Sequence, residues 1–443
     1  MVRLSSIGFA GILLCASVTG VFAHSYGPAP RLTAGPGDST RACTGCHTGT
    51  LNSGSGSVKI SLLSGNVYIP GVKQRITVQV ADPGQQRWGF ELSARLDSEP
   101  QNGQAGDLSP VDNFTQVICE DAGPKPCATG VQFVQHTSAG TRRGTKGGAS
   151  FQFEWTPPAT DVGPVTLYVA GNAANGDGNL TGDLIYTSSV QLKPIKAVAP
   201  AVQAGSILSS ATLAAGPVAP NSWITIYGTN LSPTTRSWDE SDFRSGGMPT
   251  SLDGVSVVLN AFGAPRSAYI GYVSPGQINA LLPSDTNATT VQVQVKNPAG
   301  ITSQLPITVA ANAPQLLTLD GKYALATHAN GSIVGKSGLL PGTATSGATA
   351  GETVTFYCTG CGATNPALVP GQVPTDASRV ATPPTVTIGG ASANVVSAAV
   401  LPNSAGVYTL TVQVPSGAAK GDLPVTVQSG TFTSAATLIT IGQ

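Results

Sequence analysis

The stretch Lys73–Asp82, KQRITVQVAD, decides the fold class of this chain. Its apolar residues Ile76, Val78 and Val80 alternate with polar ones, which is the period of two typical of a half-buried β-strand. Similar runs recur downstream as RWGFELSARL (87–96), SFQFEWTPPA (150–159) and LIYTSSVQLK (184–193). Turns rich in Gly, Pro and Asn separate them, so the sequence predicts one antiparallel sandwich between about residues 50 and 193.

The composition extends this prediction to the whole chain. Among 443 residues there are 54 Gly and 33 Pro, and only 10% are charged. Such proportions favour many short strands joined by turns over long helices, which need more Leu, Glu and Lys. Lys and Arg together number 22, as do Asp and Glu, so the formal net charge is zero. The chain therefore has no overall positive charge that would attract nucleic acid or an anionic membrane surface.

The second half of the chain repeats itself. NSWITIYGTNL, from Asn221, returns in altered form as GETVTFYCTGCG, from Gly351, and Val- and Ile-rich strands follow each copy. Duplicated units of this kind indicate tandem modules, each with enough strands for an immunoglobulin-like sandwich. The predicted domains are therefore 24–195, 205–312 and 315–443. All three are expected to be antiparallel β-sandwiches, arranged in tandem.

Residues 1–23 have the features of a secretory signal peptide. A short basic start, MVRLSS, is followed by an apolar stretch and by a small-residue exit that ends at Ala23. Cleavage there leaves His24 as the first residue. A lipid anchor on Cys15 is the alternative, although Leu14 stands where a lipoprotein peptidase requires a small side chain. No later apolar run reaches the ~20 residues of a membrane span, so we expect a soluble protein in the periplasm or outside the cell.

The segment RACTGCHTGT contains Cys43, Cys46 and His47 in the order Cys-x-x-Cys-His. Two thiols at this spacing can each add to a vinyl group of one porphyrin, and the adjacent imidazole then lies under the iron. The motif therefore predicts a covalently attached haem c, with Cys43 and Cys46 as anchors and His47 as the proximal iron ligand. A small Cys43–Cys46 disulfide, or half of a zinc site, is the alternative, because Cys-x-x-Cys alone occurs in many redox and metal proteins.

A sixth iron ligand has to come from elsewhere in the chain. Besides the motif histidine, the axial candidates are His24, His136, His328 and Met248. His328 and Met248 belong to the later modules, and a free terminus such as His24 is usually mobile. His136 ends an apolar strand just before a Gly-rich loop, so it is the predicted distal ligand, and a surface histidine bonded to Thr137 is the alternative.

The remaining cysteines form two further local pairs. Cys119 and Cys127 flank a turn-rich loop, and Cys358 and Cys361 lie at a strand end without a following His. An even number of cysteines in an exported protein indicates bridges where no cofactor takes the thiols. Disulfides Cys119–Cys127 and Cys358–Cys361 are therefore predicted, the second in preference to a metal or thioredoxin-type centre.

Three further patterns have simpler explanations. The loop GNAANGDGNLTGD carries oxygen-bearing side chains that resemble a calcium site, namely Asn172, Asn175, Asp177, Asn179 and Asp183. It lacks the EF-hand order and a closing Glu, so a set of tight turns is favoured over calcium. GSIVGKSG has too few residues between its glycines for a phosphate loop. Histidine is too scarce for Ser-His-Asp sites and no Gly-x-Ser-x-Gly occurs, so no enzyme is predicted.

Two resemblances to known families rest on these segments. CTGCHTG, RWGFEL, VQHTSAG and FEWTPPATDVGPVTLYVAGNAANGDG together resemble the bacterial reelin-like extracellular domains of the choice-of-anchor type. PNSWITIYGTNL resembles the opening strand of IPT/TIG domains, and residues 205–443 resemble a tandem C-terminal module of many bacterial secreted proteins. The resemblances imply immunoglobulin-like architecture and an extracellular location. Neither family brings an established catalytic residue.

Two functions follow as hypotheses. In the first, the chain is an exported monohaem c-type cytochrome-like protein that passes single electrons or senses a small gas. Its later modules then act as a spacer or a docking surface for a redox partner protein or a cell-surface component. In the second, the chain is a non-enzymatic adhesive surface protein whose modules bind glycan or protein, and Cys43–Cys46 is a disulfide. Neither hypothesis involves nucleic acid or a membrane span.

Overall fold

The computed structural model describes residues 25–243, 246–261, 264–287 and 289–442, and its regular elements are almost all β-strands. The predicted signal peptide and His24 lie outside these ranges. The helical segments Ala42–Gly45, Ala139–Thr141 and Glu240–Asp242 are single 3-10 turns. Within the described ranges no helix is long and apolar enough to span a membrane. The all-β prediction is confirmed.

Strands β1 to β10 form two facing sheets near the N-terminus. They are β1 (Ser57–Leu62), β2 (Val67–Tyr68), β3 (Gln74–Asp82), β4 (Arg87–Leu96), β5 (Asp107–Pro110), β6 (Thr115–Cys119), β7 (Gln132–His136), β8 (Gly147–Thr156), β9 (Val165–Ala174) and β10 (Leu184–Pro194). One sheet has the order β1-β3-β8-β5, and the other has the order β2-β10-β9-β4-β7-β6. Strand β2 runs parallel to β10, whereas β4 pairs antiparallel with both β7 and β9.

Aromatic and branched side chains fill the space between these sheets. Phe90 of β4 packs against Phe151 and Phe153 of β8, with ring centroids 4.5 and 6.1 Å apart. In β3, Ile76 and Val78 are fully buried, as is Val80 two residues later. The alternation that predicted the fold therefore marks the residues of the core.

Strand β4 is buried on both faces, because the N-terminal segment (residues 25–56) lies against the side that faces away from the aromatic core. The Leu32 N–H donates a 2.6 Å hydrogen bond to Glu91 Oε2. The Arg95 guanidinium donates to Asp38 Oδ1 at 2.6 Å, and both side chains are fully buried. Removing one partner of a buried ion pair costs about 3–5 kcal/mol, so this pair fastens the N-terminal segment to the sheet.

Strands β11 to β20 form two five-stranded sheets. They are β11 (Ile207–Ser209), β12 (Trp223–Tyr227), β13 (Arg236–Ser237), β14 (Ser256–Ala261), β15 (Ala264–Ser267), β16 (Tyr269–Val273), β17 (Gln277–Leu281), β18 (Thr290–Asn297), β19 (Gly300–Ile301) and β20 (Leu305–Thr308). The first sheet has the order β11-β12-β17-β16-β13. The second has the order β15-β14-β18-β19, and β20 also pairs with β18.

The remaining strands share one large sheet. They are β21 (Gln315–Leu316), β22 (Ala326–Thr327), β23 (Ile333–Val334), β24 (Thr345–Ser346), β25 (Thr353–Thr359), β26 (Thr364–Asn365), β27 (Arg379–Val380), β28 (Thr385–Ile388), β29 (Ala391–Val400), β30 (Tyr408–Gln413), β31 (Gly421–Ser429), β32 (Phe432–Thr433) and β33 (Thr437–Ile441). The two repeated sequence segments become β12 and β25. Each has an antiparallel neighbour in its sheet, β17 and β30 respectively.

The chain forms two compact units. One consists of the described part of residues 1–61 together with 77–153 and 163–191, and the other consists of 62–76, 154–162 and 192–443. The boundaries of the predicted domains 24–195, 205–312 and 315–443 stay predictions.

The two predicted disulfides have different outcomes. Cys119 and Cys127 are bridged, with a Cα–Cα distance of 5.3 Å. Cys358 and Cys361 are free thiols, so the prediction of a bridge between them is wrong for this structure. Cys358 lies within β25, whereas Cys361 lies beyond its end, where its thiol donates to the Thr359 carbonyl oxygen at 3.7 Å. Both sulfurs are buried, and burial raises the pKa of Cys358 well above its usual range.

Candidate functional site

The Cys-x-x-Cys-His segment is a tight turn on the outer side of the first sandwich. The backbone N–H groups of Cys46 and His47 both donate to the Cys43 carbonyl oxygen, at 3.1 and 2.9 Å. Its start at Ala42 has a positive φ of 44°. The turn places both cysteines and the histidine at the wall of one pocket.

The two motif cysteines are not bonded to each other. Both are free thiols, so the Cys43–Cys46 disulfide of the alternative hypothesis is not formed in this structure. Cys46 is exposed, whereas Cys43 is 7% exposed. Burial is the main cause that raises the pKa of Cys43 to about 12, and the charges of Glu91 and Cys46 add to it. Neither sulfur is therefore used in a bridge, and burial keeps the Cys43 thiol unreactive in this fold.

His47 is held in a defined tautomer. Its Nδ1 lies 2.6 Å from Asp183 Oδ2, and a carboxylate only accepts hydrogen bonds, so Nδ1 carries the proton. A neutral ring then has its lone pair on Nε2, which lies 3.2 Å from the amide nitrogen of Asn172. An imidazole that donates through one nitrogen to a carboxylate and keeps the other as an acceptor is the arrangement that metal-binding histidines use.

Strand β9 supplies Asn172, and the loop between β9 and β10 supplies Asp183. Asp183 Oδ1 accepts from the backbone N–H of Asn175 at 3.1 Å, and Asp177 Oδ1 accepts from the N–H of Asn179 at 2.7 Å. These oxygens therefore close turns within the loop. Among the described residues no group of three or more His, Cys, Asp or Glu side chains could hold a bare metal ion.

His136 lies at the end of β7 and is buried. Its Nδ1 lies 3.1 Å from the backbone nitrogen of Phe90 and 3.3 Å from the Phe90 carbonyl oxygen. Nδ1 can therefore accept a hydrogen bond from the N–H or donate one to the carbonyl oxygen, and in the second case Nε2 is the acceptor of the neutral ring. The ring packs on the backbone of Gly89, where a Cβ atom would lie only 2.7 Å from His136 Cε1.

One pocket brings together all four residues predicted to hold haem. Its cavity volume is about 100 Å³, and its lining includes Cys43, Cys46, His47 and His136. Met248 and His328 are not among its lining residues; His328 instead bonds to Glu352 at 2.5 Å. The sequence places His136 far from the motif. The motif packs on β9, and β4 pairs with both β9 and β7, so the sheet brings the two together.

Sequence reasoning missed several other lining residues. Asn172 and Asp183 were predicted only as members of a turn, yet both contact His47. Arg87 and Trp88 of β4 also line the pocket. No local motif marks any of these residues, because strand pairing and the path of the loop that carries Asp183 bring them to the pocket.

In their chemical types, the residues at this pocket match those that hold a covalently attached haem. Two free thiols, an imidazole with Nε2 as an acceptor and a second buried imidazole lie at one pocket. Leu32 and Phe90 supply apolar surface to its wall. Asn172 Oδ1 is a buried polar atom without a hydrogen-bond partner among the described residues, and such atoms normally bind something.

No protein-family model and no curated protein matches this chain. Solved structures similar to it include the human F-spondin reeler domain (fragment 1), at 22% identity, covering 33% of this chain and 95% of that chain, with a TM-score of 0.22. CaCohA2 from Clostridium acetobutylicum is similar at 15% identity, covering 33% of this chain and 96% of that chain, with a TM-score of 0.21. At these TM-scores neither similarity carries a function to this chain.

Proposed function

We propose that this chain is an exported haem protein whose first sandwich carries one covalently bound haem c. The observation that supports the proposal is the shared pocket of the Cys-x-x-Cys-His motif and His136. The motif alone predicts an attachment site. A second buried imidazole at the same pocket adds a residue of the type that binds haem iron on its other face.

Each residue of the pocket has a separate task in this proposal. Cys43 and Cys46 would form the thioether bonds, and His47 would bind the iron through Nε2. His136 would bind the iron from the other face. The apolar wall, which includes Leu32, limits the access of water to the site. A haem bound there supplies one-electron chemistry or a binding place for a small gas.

The later modules carry no part of this site. We assign residues 205–443 the role of a spacer or of a docking surface for a redox partner protein or a cell-surface component. A purely adhesive β-sandwich protein is the competing function, and it requires the same modules without haem. The presence or absence of covalent haem separates the two.

The test is haem staining of denatured protein. The full chain is expressed with its signal sequence in a bacterium that has a cytochrome c maturation system, then heated in detergent, resolved on a gel and stained for haem peroxidase activity. Only covalently held haem survives this treatment. We expect a stained band for the wild type and none when Cys43 and Cys46 are both replaced by Ser.

The chain contains its own matched control. Cys358 and Cys361 have the same Cys-x-x-Cys spacing without a following His, so their double replacement by Ser should leave the stain unchanged. An unstained wild-type protein that is folded and exported would overturn the haem proposal and favour the adhesive function.

A further inference from the structure

The residue that fixes His47 is a buried carboxylate with few other partners. The Asp183 side chain is 2% exposed and that of His47 is 15% exposed. Asp183 Oδ2 accepts from His47 Nδ1 at 2.6 Å, and Asp183 Oδ1 accepts from the Asn175 N–H. Among the described residues no Lys or Arg forms a salt bridge with it. The negative charge of Asp183 is therefore directed at the imidazole of His47.

The negative charge of Asp183 changes how strongly the His47 ring donates electrons to a metal. A carboxylate that accepts from Nδ1 makes Nε2 a stronger electron donor, because the ring gains part of the character of an imidazolate. Burial strengthens the effect, since water does not screen the pair as it does at the surface. An iron bound at Nε2 is then stabilised more in its ferric state than in its ferrous state, because the ferric state carries one more positive charge.

We propose that Asp183 is a positioning residue that orients His47 and lowers the one-electron reduction potential of the haem. The inference rests on the haem function proposed above. The half-reaction is the addition of one electron to ferric haem to give ferrous haem, and no atom is transferred. The electron comes from a redox partner whose own potential is low enough to reduce a haem that favours the ferric state.

The geometry of the loop supports a specific role for Asp183 within its surroundings. Asn172 donates to Nε2 of the same ring at 3.2 Å, so the imidazole is held at both nitrogens before any ligand binds. Thr48, the next residue in the chain, donates its N–H to the Leu180 carbonyl oxygen at 2.7 Å. This bond ties the motif to the loop that carries Asp183. The distance between His47 and Asp183 is therefore set by backbone contacts as well as by their own hydrogen bond.

The test compares two acidic residues of the same loop. Asp183→Asn removes the buried charge and keeps an oxygen that can accept from His47 Nδ1. Asp177→Asn removes an exposed charge that binds Asn179 instead. The haem-loaded full chain of each variant is titrated by visible spectroscopy against redox mediators. We expect the midpoint potential to rise in Asp183→Asn and to stay at the wild-type value in Asp177→Asn.

A second variant separates orientation from charge. Asp183→Ala also removes the hydrogen bond, so the ring is free to rotate, and we expect a weaker bond between iron and His47. We measure it in a His136→Ala background, where the ferrous haem keeps His47 as its one histidine ligand, as a lower iron–histidine stretching frequency in resonance Raman spectra. An unchanged potential and an unchanged stretching frequency in both variants would overturn the inference. Haem staining of the same samples keeps the two proposals apart, because loss of stain in the wild type contradicts the haem function itself.

Discussion

Gly89→Ala tests whether His136 binds iron without touching either histidine. A methyl group on Gly89 would lie 2.7 Å from His136 Cε1, 3.1 Å from Nδ1 and 3.2 Å from Nε2. Ordinary contact at such a position begins at 3.4 Å, so the ring has to retreat by about 0.7 Å. Gly89 lies in a strand and its φ is not in the left-handed region, so alanine is compatible with the backbone.

The retreat of the ring has an energetic cost and a spectroscopic effect. It pulls Nδ1 away from the Phe90 backbone, and a buried donor or acceptor left without a partner costs about 1–3 kcal/mol. If His136 is the sixth ligand, the displaced ring also opens the distal face of the haem. Ferrous Gly89→Ala protein should then bind carbon monoxide as readily as His136→Ala, whereas the wild type should bind it poorly.

The assay is the visible spectrum of oxidised and reduced protein with and without carbon monoxide, together with urea unfolding of each variant. Gly417→Ala is the control, because a Cβ there meets no atom within 4 Å. If wild-type protein binds the gas as freely as both variants, the assignment of His136 is refuted. The site is then open to ligands, which favours gas sensing, or a different group such as His24 is the ligand.

Two further predictions concern buried titratable groups. Burial is the main cause that holds the pKa of Glu91 well above its usual range. Between pH ~4.3 and this raised pKa, the folded state keeps a proton that the unfolded state has lost. The free energy of unfolding should therefore fall by about 1.4 kcal/mol per pH unit across this interval. Glu91→Gln should weaken this loss between pH 5 and pH 8 in urea titrations, and an identical pH dependence in both proteins would contradict the argument. Cys358 and Cys361 should resist alkylation in the folded protein, because buried thiols are inert. Both should react after denaturation without reductant, because no bridge joins them. A mass spectrum in which neither is alkylated after denaturation would show a bridge instead.

Local patterns predicted the strands well. The alternation in Lys73–Asp82 identifies residues that are buried in β3, and the repeated segments from Asn221 and Gly351 both become strands. These features depend on the period of side chains along a strand, which the sequence displays directly. The burial of strand β4 was harder to predict, because Glu91 and Arg95 are polar and yet buried. They lie beneath the N-terminal segment, which has almost no regular secondary structure.

Half of the candidate site could be predicted in the same way. Cys43, Cys46 and His47 are adjacent in the chain, so their spacing is visible. Asp183 contacts His47 across a large sequence separation, and its own neighbours in sequence indicate only a turn. No single-sequence pattern records such a contact, because the pairing of β9 with β4 and the path of the loop create it.

The covering of β4 by the N-terminal segment also bears on the stage of folding at which the proposed haem could be attached. Once Asp38 is paired with Arg95, the Cys43 thiol is shut against the sheet, with little exposed surface and a pKa of about 12. An enzyme that joins a large planar group to this sulfur cannot reach it in the finished fold. If the proposed haem is attached to Cys43, attachment would therefore have to precede closure of the segment. The modified turn would then fold onto the strand together with the bound haem.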